Sequence, residues 1–278
     1  MELTNLILES NNDPVRQSRT MVVGHRCPLF ALSEETIFVG SVSPESHRCC
    51  VKVDDQALGE VFNGYVISEY LQLFYYFLNS QNKTSFAETY YIHQYRKFLS
   101  LDGSGPTSPA MPYLRTSLPN EVADRNLSAP FIISLHSKKK ELIGPVLSIG
   151  NLTTNYGKYH IAEDFVMFNL AMRDSSLFDS EELKLFIYFP YLVPSPSVGV
   201  FFTKHLLNDL RILQAVWEIF YHRYYTPRDG YQRRVGGFLL ERLHSFMLLR
   251  RALQDGFKNT ISSFQYIVSE DGDPRPTL

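Results

Sequence analysis

Strand-like and helix-like patterns alternate along most of this 278-residue chain, and this alternation restricts the fold more than any other feature. Short apolar or β-branched runs predict strands at 20–23, 36–42, 90–92, 131–135 and 185–189. Longer runs with helical spacing predict helices at 65–79, 161–172, 204–222 and 235–253. Because strands that alternate with helices are typical of α/β domains, we predict one α/β domain in which helices flank a mixed sheet.

The predicted domain extends from residue 19 to residue 268. Residues 1–18 are mostly polar and predict a flexible lead-in, and residues 269–278, with two prolines and three acids, predict a loose tail. Residues 102–130 contain five prolines and little periodicity, which indicates a long loop. Long loops in compact domains are often functional lids or else mobile, and both alternatives are open for this one.

The net charge argues against a nucleic-acid partner, and the cysteines indicate the compartment. Lys and Arg number 27 against 29 Asp and Glu, giving a net charge of −2, whereas nucleic-acid binders usually carry a basic excess. The three cysteines have no metal-ligand spacing, which favours a reduced, cytosolic environment. We recognise no signal peptide and no apolar run of membrane-spanning length, so contact with the inner face of a membrane would be peripheral.

Aromatic residues make up 14% of the chain, which is high for an ordinary domain. The run 65–79 is almost wholly apolar and assigns many of these rings to packing. Four tyrosines beside a cluster of arginines are instead candidates for contact with a ligand, because tyrosine offers a flat apolar face and a polar tip. They are Tyr221, Tyr224, Tyr225 and Tyr231.

Two polar clusters precede the middle of the chain. Glu69 and Gln72 would form a polar stripe on a buried helix, where the carboxylate either pairs with an arginine or faces a ligand hydroxyl. His93 and Arg96 follow a predicted strand, where loops of an α/β sheet gather ligands. There they would grip a phosphate, or else form an ordinary salt bridge at a loop edge.

Two further clusters follow. His160 and Asp164 are four residues apart, so on a helix they could hydrogen-bond, and Asp164 or Glu163 could act as a general base; the alternative is helix capping. Adjacent Gly236 and Gly237 precede a helix and would let the backbone approach an anion. Arg234, Glu241 and Arg242 belong to that site, whereas a solvated basic face accounts for Arg250 and Arg251.

Common motifs of other enzyme classes are missing, including a dinucleotide fingerprint, a phosphate loop, a Gly-x-Ser-x-Gly elbow and a His-Glu-x-x-His zinc motif. The sequence predicts no cofactor and no metal site. Its one Asp-x-Asp element, Asp271-Gly-Asp273, lies in the predicted tail and is a weak candidate for a divalent cation.

The order of these clusters resembles a bacterial glycosyltransferase-like family of formerly unknown function that is common in capsule and exopolysaccharide gene clusters. Four stretches carry the resemblance: Met21-Val-Val-Gly-His25-Arg-Cys-Pro28, Ser68-Glu69-Tyr-Leu-Gln-Leu-Phe-Tyr-Tyr-Phe-Leu-Asn79, His93-Gln-Tyr-Arg96-Lys-Phe98 and Arg234-Val-Gly-Gly-Phe-Leu-Leu-Glu241-Arg242-Leu243. Tyr95 departs from the family pattern, which has an arginine there, and Tyr75 and Phe77 stand where it has tryptophans.

The resemblance implies a glycosyltransferase-A-like fold and transfer of a sugar, a galactosyl or galactofuranosyl unit in some members, from a nucleotide-sugar to a surface glycan or lipid-linked glycan. In that interpretation arginines replace the Asp-x-Asp metal at the diphosphate, and Glu163 or Asp164, with His160, activates the acceptor. The implied donor-binding residues are His25, Glu69, His93, Arg96, Arg234, Glu241 and Arg242. The alternative is a non-catalytic carbohydrate-binding or scaffold protein that retains the fold.

Overall fold

The computed structural model describes residues 18–42, 49–53, 58–79, 86–108 and 111–269. Apart from Ser18 and Ser269, the predicted lead-in and tail lie outside these residues, and so does Asp271-Gly-Asp273.

Twelve strands and nine α-helices form in the described ranges. The strands are β1 Ser18–Gly24, β2 Ile37–Gly40, β3 Cys50–Lys52, β4 Thr89–Gln94, β5 Lys97–Ser100, β6 Leu114–Ser117, β7 Glu141–Ile143, β8 Leu147–Ser148, β9 Tyr191–Leu192, β10 Gly199–Phe202, β11 Thr260–Ser262 and β12 Phe264–Val268. The helices are α1 Gly64–Ile67, α2 Tyr70–Phe74, α3 Val122–Arg125, α4 Ala129–Ser137, α5 Leu152–Tyr159, α6 Ala162–Asp174, α7 Ser180–Tyr188, α8 Thr203–Arg223 and α9 Val235–Gln254.

Ten of the strands form one mixed sheet whose main path runs β11-β7-β10-β4-β1-β2-β3. β1 is parallel to both β2 and β4, so the chain leaves β1 towards one edge and returns to its other side at β4. In open α/β sheets, ligands bind outside the carboxyl ends of the strands at such a reversal. The ends of β1 and β4 are therefore the expected position of a site.

Helices cover both faces of this sheet. On one face the main core packs residues such as Met21 of β1 against Leu243 of α9. On the other face Ile132 of α4 packs against Tyr91 of β4 and Val200 of β10. Because both faces are covered, the ends of the central strands are where polar side chains of the sheet reach the surface.

Most predicted elements are confirmed. The strands predicted at 20–23, 36–42 and 90–92 coincide with β1, β2 and β4. The helices predicted at 161–172, 204–222 and 235–253 coincide with α6, α8 and α9. The mixed α/β architecture follows from these elements, since they supply the centre of the sheet and the helices that cover it.

Two predicted strands are wrong because both segments are helical. Residues 131–135 lie in α4, where the Ser128 side chain caps the first turn and Pro130 occupies its start. Residues 185–189 form the end of α7, which begins with a capping box between Asp179 and Glu182. In both cases the cap signal lies upstream of a short apolar run whose periodicity alone is ambiguous.

Two longer predictions need correction. The helix predicted at 65–79 is broken at Ser68 into α1 and α2, and it continues as a single π-helical turn over Tyr75–Asn79. The loop predicted at 102–130 contains β6, α3 and a 3-10 turn at Pro119–Glu121.

The solvated basic face predicted at Arg250 and Arg251 is also wrong. Arg251 donates to both carboxylate oxygens of Asp209, at 3.1 and 3.0 Å, and lies 3.5 Å from a Glu141 oxygen. Arg250 forms an ion pair with Glu182. These arginines therefore tie α9 to α8, β7 and α7.

Candidate active site

The reversal between β1 and β4 brings two of the predicted site residues together. Val23 and Gln94 are paired in register, so the chain emerges from both strands side by side, at His25 and Arg96. The His25 ring meets the edge of the Tyr95 ring at 5.1 Å, and the Arg96 guanidinium lies over that ring at 5.5 Å. Tyr95 thus holds a histidine and an arginine at one strand edge.

Ser68 and Glu69 join this edge from the break between α1 and α2. Ser68 has φ 55° and ψ −139°, a conformation that is costly for a residue with a side chain and that recurs at functional sites. Its hydroxyl accepts a hydrogen bond of 3.0 Å from Nε of Arg234, whose terminal nitrogen lies 3.9 Å from the carboxylate of Glu69. The predicted pairing of Glu69 with an arginine is thus present.

Burial and the neighbouring charges both act on the pKa of His25. Burial lowers this pKa most, Glu69 opposes the shift, and the positive charges of Arg26, Arg234 and Arg96 lower it further. His25 is therefore neutral at neutral pH, with one ring nitrogen able to donate and the other able to accept.

Glu241 and Lys97 complete the cluster. Glu241 accepts a 2.6 Å hydrogen bond from the Ser195 backbone N–H and a 3.0 Å hydrogen bond from Arg242. Lys97 donates to the Ser195 hydroxyl at 2.7 Å. Burial lowers the pKa of Lys97, whereas Glu241 and Glu69 raise it. Lys97 adjoins Arg96, but no motif or cluster in the sequence marked it as a site residue.

The cluster is rich in cations. Arg96, Lys97, Arg234 and Arg242 surround two carboxylates, Glu69 and Glu241. Such an excess favours a polyanion, and arginine fits phosphate oxygens through parallel N–H donors. The arrangement can therefore bind a diphosphate and stabilise charge that develops on it.

An aromatic group adjoins Arg242. The His160 ring stacks on Phe238 at 4.0 Å and lies 6.0 Å from Tyr231, nearly parallel to both. Burial lowers the pKa of His160 to about 4, with Arg242 acting in the same direction and Gln232 opposing. A neutral ring in a stack suits contact with the face of a nucleobase or sugar better than proton transfer.

Tyr113, in the loop predicted at 102–130, is within electrostatic range of this site. Burial raises the pKa of its phenol, and Glu241, Arg242 and Tyr231 are among the groups that act on it. A functional role of the loop stays a prediction.

The hydrogen bond predicted between His160 and Asp164 does not form. α5 ends at Tyr159 with His160 as its cap, and α6 starts at Ala162, so the two residues do not share a helix. Asp164 instead accepts from Arg228 at 2.7 Å, and Glu163 accepts from the same nitrogen at 3.4 Å. Both acids lie in the first turn of α6, where the helix dipole favours negative charge, but Ile161 is the N-cap and no side chain caps the helix.

His93 is not brought to the cluster. Side chains alternate along a strand, and the His93 ring lies 3.9 Å from that of Tyr91, on the face covered by α4. Only 1% of the residue is exposed, and neither ring nitrogen has a partner. In this position His93 does not reach a nucleotide-sugar bound at the strand edge.

Burial lowers the pKa of His93 to about 3, so its ring stays neutral in the fold, whereas an unfolded histidine protonates near 6.5. We expect the unfolding free energy to fall as the pH is lowered from about 6.5, and His93→Leu to reduce that fall. Denaturant unfolding at several pH values and an NMR titration of the ring provide the test. A His93 ring that titrates near 6.5 would contradict it.

Gly236 and Gly237 serve packing, which corrects their predicted approach to a ligand. A Cβ on Gly236 would lie 2.7 Å from the Trp217 ring, and one on Gly237 would lie 2.6 Å from the Ser68 hydroxyl. The glycines let α1 and the strained Ser68 lie directly against the first turn of α9.

Gly237→Ala should lower the unfolding free energy by about 1–3 kcal/mol, the usual cost of overpacking. It should also weaken anion binding, because Ser68 must shift away from Arg234. Thermal unfolding and nucleoside diphosphate titration measure the two effects. Gly157→Ala, where the nearest atom to the new Cβ is at 3.3 Å, is the control and should change stability by less than about 1 kcal/mol. Equal effects at the two glycines would contradict the packing role.

The Tyr224 hydroxyl donates to Asp174 at 2.6 Å, so its polar tip is bound within the protein. Within the described ranges, no group of three His, Cys, Asp or Glu side chains is arranged to hold a metal ion. No helix in that part of the chain is both long and apolar enough to cross a bilayer.

Comparison with known proteins gives one structural match. No family model and no curated protein matches the chain. The chain is similar to the apo structure of WbbM, a bifunctional glycosyltransferase, with a TM-score of 0.68 and 14% sequence identity. The two chains therefore share a fold. The match covers 91% of this chain but 45% of WbbM, so the chain spans less than half of that protein's length.

Proposed function

We propose that this chain is a glycosyltransferase that moves a sugar from a nucleotide-sugar to a hydroxyl of a growing surface polysaccharide or related glycan. The observation that carries the proposal is the cationic cluster at the β1–β4 reversal, on a fold similar to that of a glycosyltransferase. Arg96 and Arg234 would bind the diphosphate, with Lys97 and Arg242 adding positive charge behind them. Galactose remains our prediction for the sugar.

In the reaction, the bond between the sugar and the diphosphate breaks, and the leaving group takes the electron pair. Arg96 and Arg234 meet the charge that develops on that phosphate oxygen. Glu69, which lies beside Arg234, orients that arginine or a sugar hydroxyl. The stack of His160, Tyr231 and Phe238 offers flat faces to the nucleobase or sugar.

The base that takes the proton of the acceptor hydroxyl is proposed to be Glu163. Its side chain is 65% exposed, whereas that of Asp164 is 5% exposed and bound to Arg228. Asp164 would then act as a positioning residue, because Arg228 contacts both carboxylates.

The test is turnover of a panel of nucleotide-sugars, followed as released nucleoside diphosphate with and without glycan acceptors. We expect one donor to be turned over, and Arg234→Ala to abolish most of that turnover. A donor that binds without turnover under all conditions would favour the carbohydrate-binding alternative. If no nucleotide-sugar binds, the proposal fails.

Arginines that neutralise the diphosphate make a cation unnecessary at that position, so a chelator should leave turnover unchanged. The measurement is the rate of nucleoside diphosphate release after EDTA treatment and dialysis, with and without added Mg²⁺ or Mn²⁺. Loss of activity that either cation restores would contradict the role given to the arginines.

A further inference from the structure

A cavity lies on the other side of the 3-10 turn Gly230–Arg234 from the cationic cluster. Its volume is about 380 Å³, at the small end of the range for small-ligand sites. We call it the tyrosine groove. The residues of its lining that matter here are Glu60, Asn63, Tyr221, Tyr225, Asp229 and Arg233.

The turn separates the two sites through neighbouring arginines. Arg233 points to the groove and lies over the Tyr65 ring at 5.0 Å. Arg234 points to the other side, to Ser68 and Glu69. One short turn therefore supplies a cation to each site, and the two can be altered independently.

The aromatic wall of the groove is rigid. The rings of Tyr221 and Tyr225 are stacked 5.1 Å apart and inclined by 16°. Both contact Trp217, whose indole N–H donates to the Val61 carbonyl, so the wall is anchored in the core. Flat rings fixed in this way can pack against the apolar C–H face of a pyranose at little entropic cost.

The charges of the groove differ from those of the cationic cluster. Arg228 is already paired with Glu163 and Asp164. The remaining charged residues of the lining are one cation, Arg233, and two exposed carboxylates, Glu60 and Asp229. The lining therefore has no cationic excess that would attract a phosphate. Its carboxylates are instead suited to hydroxyl groups, since carboxylates accept strong hydrogen bonds. The Asn63 side-chain oxygen caps α1 by accepting from the Tyr65 backbone N–H, so its amide nitrogen is the group that can bind a ligand, as a donor.

We propose that the tyrosine groove binds a neutral hexopyranose unit of a glycan. Its assignment to the acceptor chain rests on the function proposed above, whereas saccharide binding itself does not. One face of the sugar ring packs on the stacked rings of Tyr221 and Tyr225. Hydroxyl groups on the opposite edge of the sugar donate hydrogen bonds to Asp229 and Glu60. Arg228 links the groove to Glu163, the proposed base, so an acceptor held here would lie next to the residue that activates it.

The test measures two ligands on each variant. A panel of neutral oligosaccharides of glucose, galactose, mannose and N-acetylglucosamine is screened by saturation-transfer NMR, and the best binder is titrated together with a nucleoside diphosphate. Glu60→Gln combined with Asp229→Asn alters only exposed side chains and should weaken saccharide binding about tenfold or more. Tyr225→Leu should do the same. Nucleoside diphosphate affinity should be unchanged in both.

Arg234→Ala is the reciprocal control and should reduce nucleoside diphosphate binding while saccharide binding persists. Saccharide binding that survives both groove variants, competition by nucleoside diphosphate, or no binding by any oligosaccharide would overturn the proposal. Saccharide binding without any nucleotide-sugar binding would uphold the groove and refute the glycosyltransferase function. Circular dichroism shows whether each variant is folded, so that a loss of saccharide binding can be assigned to the groove. If Tyr225→Leu does not fold, the Glu60→Gln/Asp229→Asn variant alone provides the test.

Discussion

Arg234→Ala should weaken nucleoside diphosphate binding by about 10- to 100-fold, because a hydrogen bond to a charged group contributes about 1.5–3 kcal/mol and each 1.4 kcal/mol is about tenfold. The arginine is half-exposed, yet the Ser68 hydroxyl fixes its Nε at 3.0 Å. This contact uses Nε alone, and the terminal nitrogens, one of which lies 3.9 Å from Glu69, can still donate to a ligand. Calorimetric titration measures the affinity.

Arg233→Ala is the matched control for Arg234→Ala, since it removes the same charge from the adjacent residue on the other side of the turn. It should leave nucleoside diphosphate affinity nearly unchanged. Arg234→Lys should recover part of the binding, because it restores the charge but not the paired donors. Equal losses in the two alanine variants would show a general charge effect and contradict the site.

Arg251→Met should lower the unfolding free energy by about 3–5 kcal/mol, the usual cost of removing one partner from a buried ion pair. The substitution leaves the carboxylates of Asp209 and Glu141, 3% and 6% exposed, without their main cation. The His205 ring, 3.2 Å from Glu141, is the remaining basic group at that carboxylate. Denaturant unfolding at pH 7 measures the loss.

The loss in Arg251→Met should shrink on acidification. Burial raises the pKa of Asp209, and Arg251 opposes this rise, so the pKa in the variant is higher still. A carboxyl with a raised folded pKa destabilises the fold above that pKa and ceases to do so once it is protonated. The deficit should therefore be larger at pH 7 than at pH 4.

Arg250→Met is the control for Arg251→Met, because Arg250 forms a more exposed pair with Glu182. Its effect should be no more than about 1 kcal/mol. Equal losses at the two positions, or a deficit that grows at low pH, would contradict the buried network.

Part of the candidate site was predictable, because the sequence pattern shows where the strands end. The apolar run near Ile92 predicts a strand, and polar residues that follow strands of an α/β sheet gather where ligands bind. Arg96 follows from this, whereas His25 was implied only by the family resemblance; the structure pairs the two strands. The pairing of Glu69 with an arginine follows from the cost of burying a lone carboxylate.

The rest of the site depends on information that a linear pattern does not carry. β4 is buried throughout and extends to Gln94, so the apolar run that ends at Ile92 does not show that His93 still lies inside the strand. Ser195 meets Glu241 from 46 positions away, through a backbone N–H that any residue would offer. His160 lies outside the helix predicted at 161–172 and caps the preceding helix α5, so no helix carries it towards Asp164.

The most direct measurement is a crystal structure of the chain with a nucleoside diphosphate bound. We expect oxygens of the terminal phosphate within hydrogen-bond distance of Arg96 and Arg234, at the ends of β1 and β4. A nucleotide bound in the tyrosine groove, or elsewhere without contact to either arginine, would contradict the site and the function built on it.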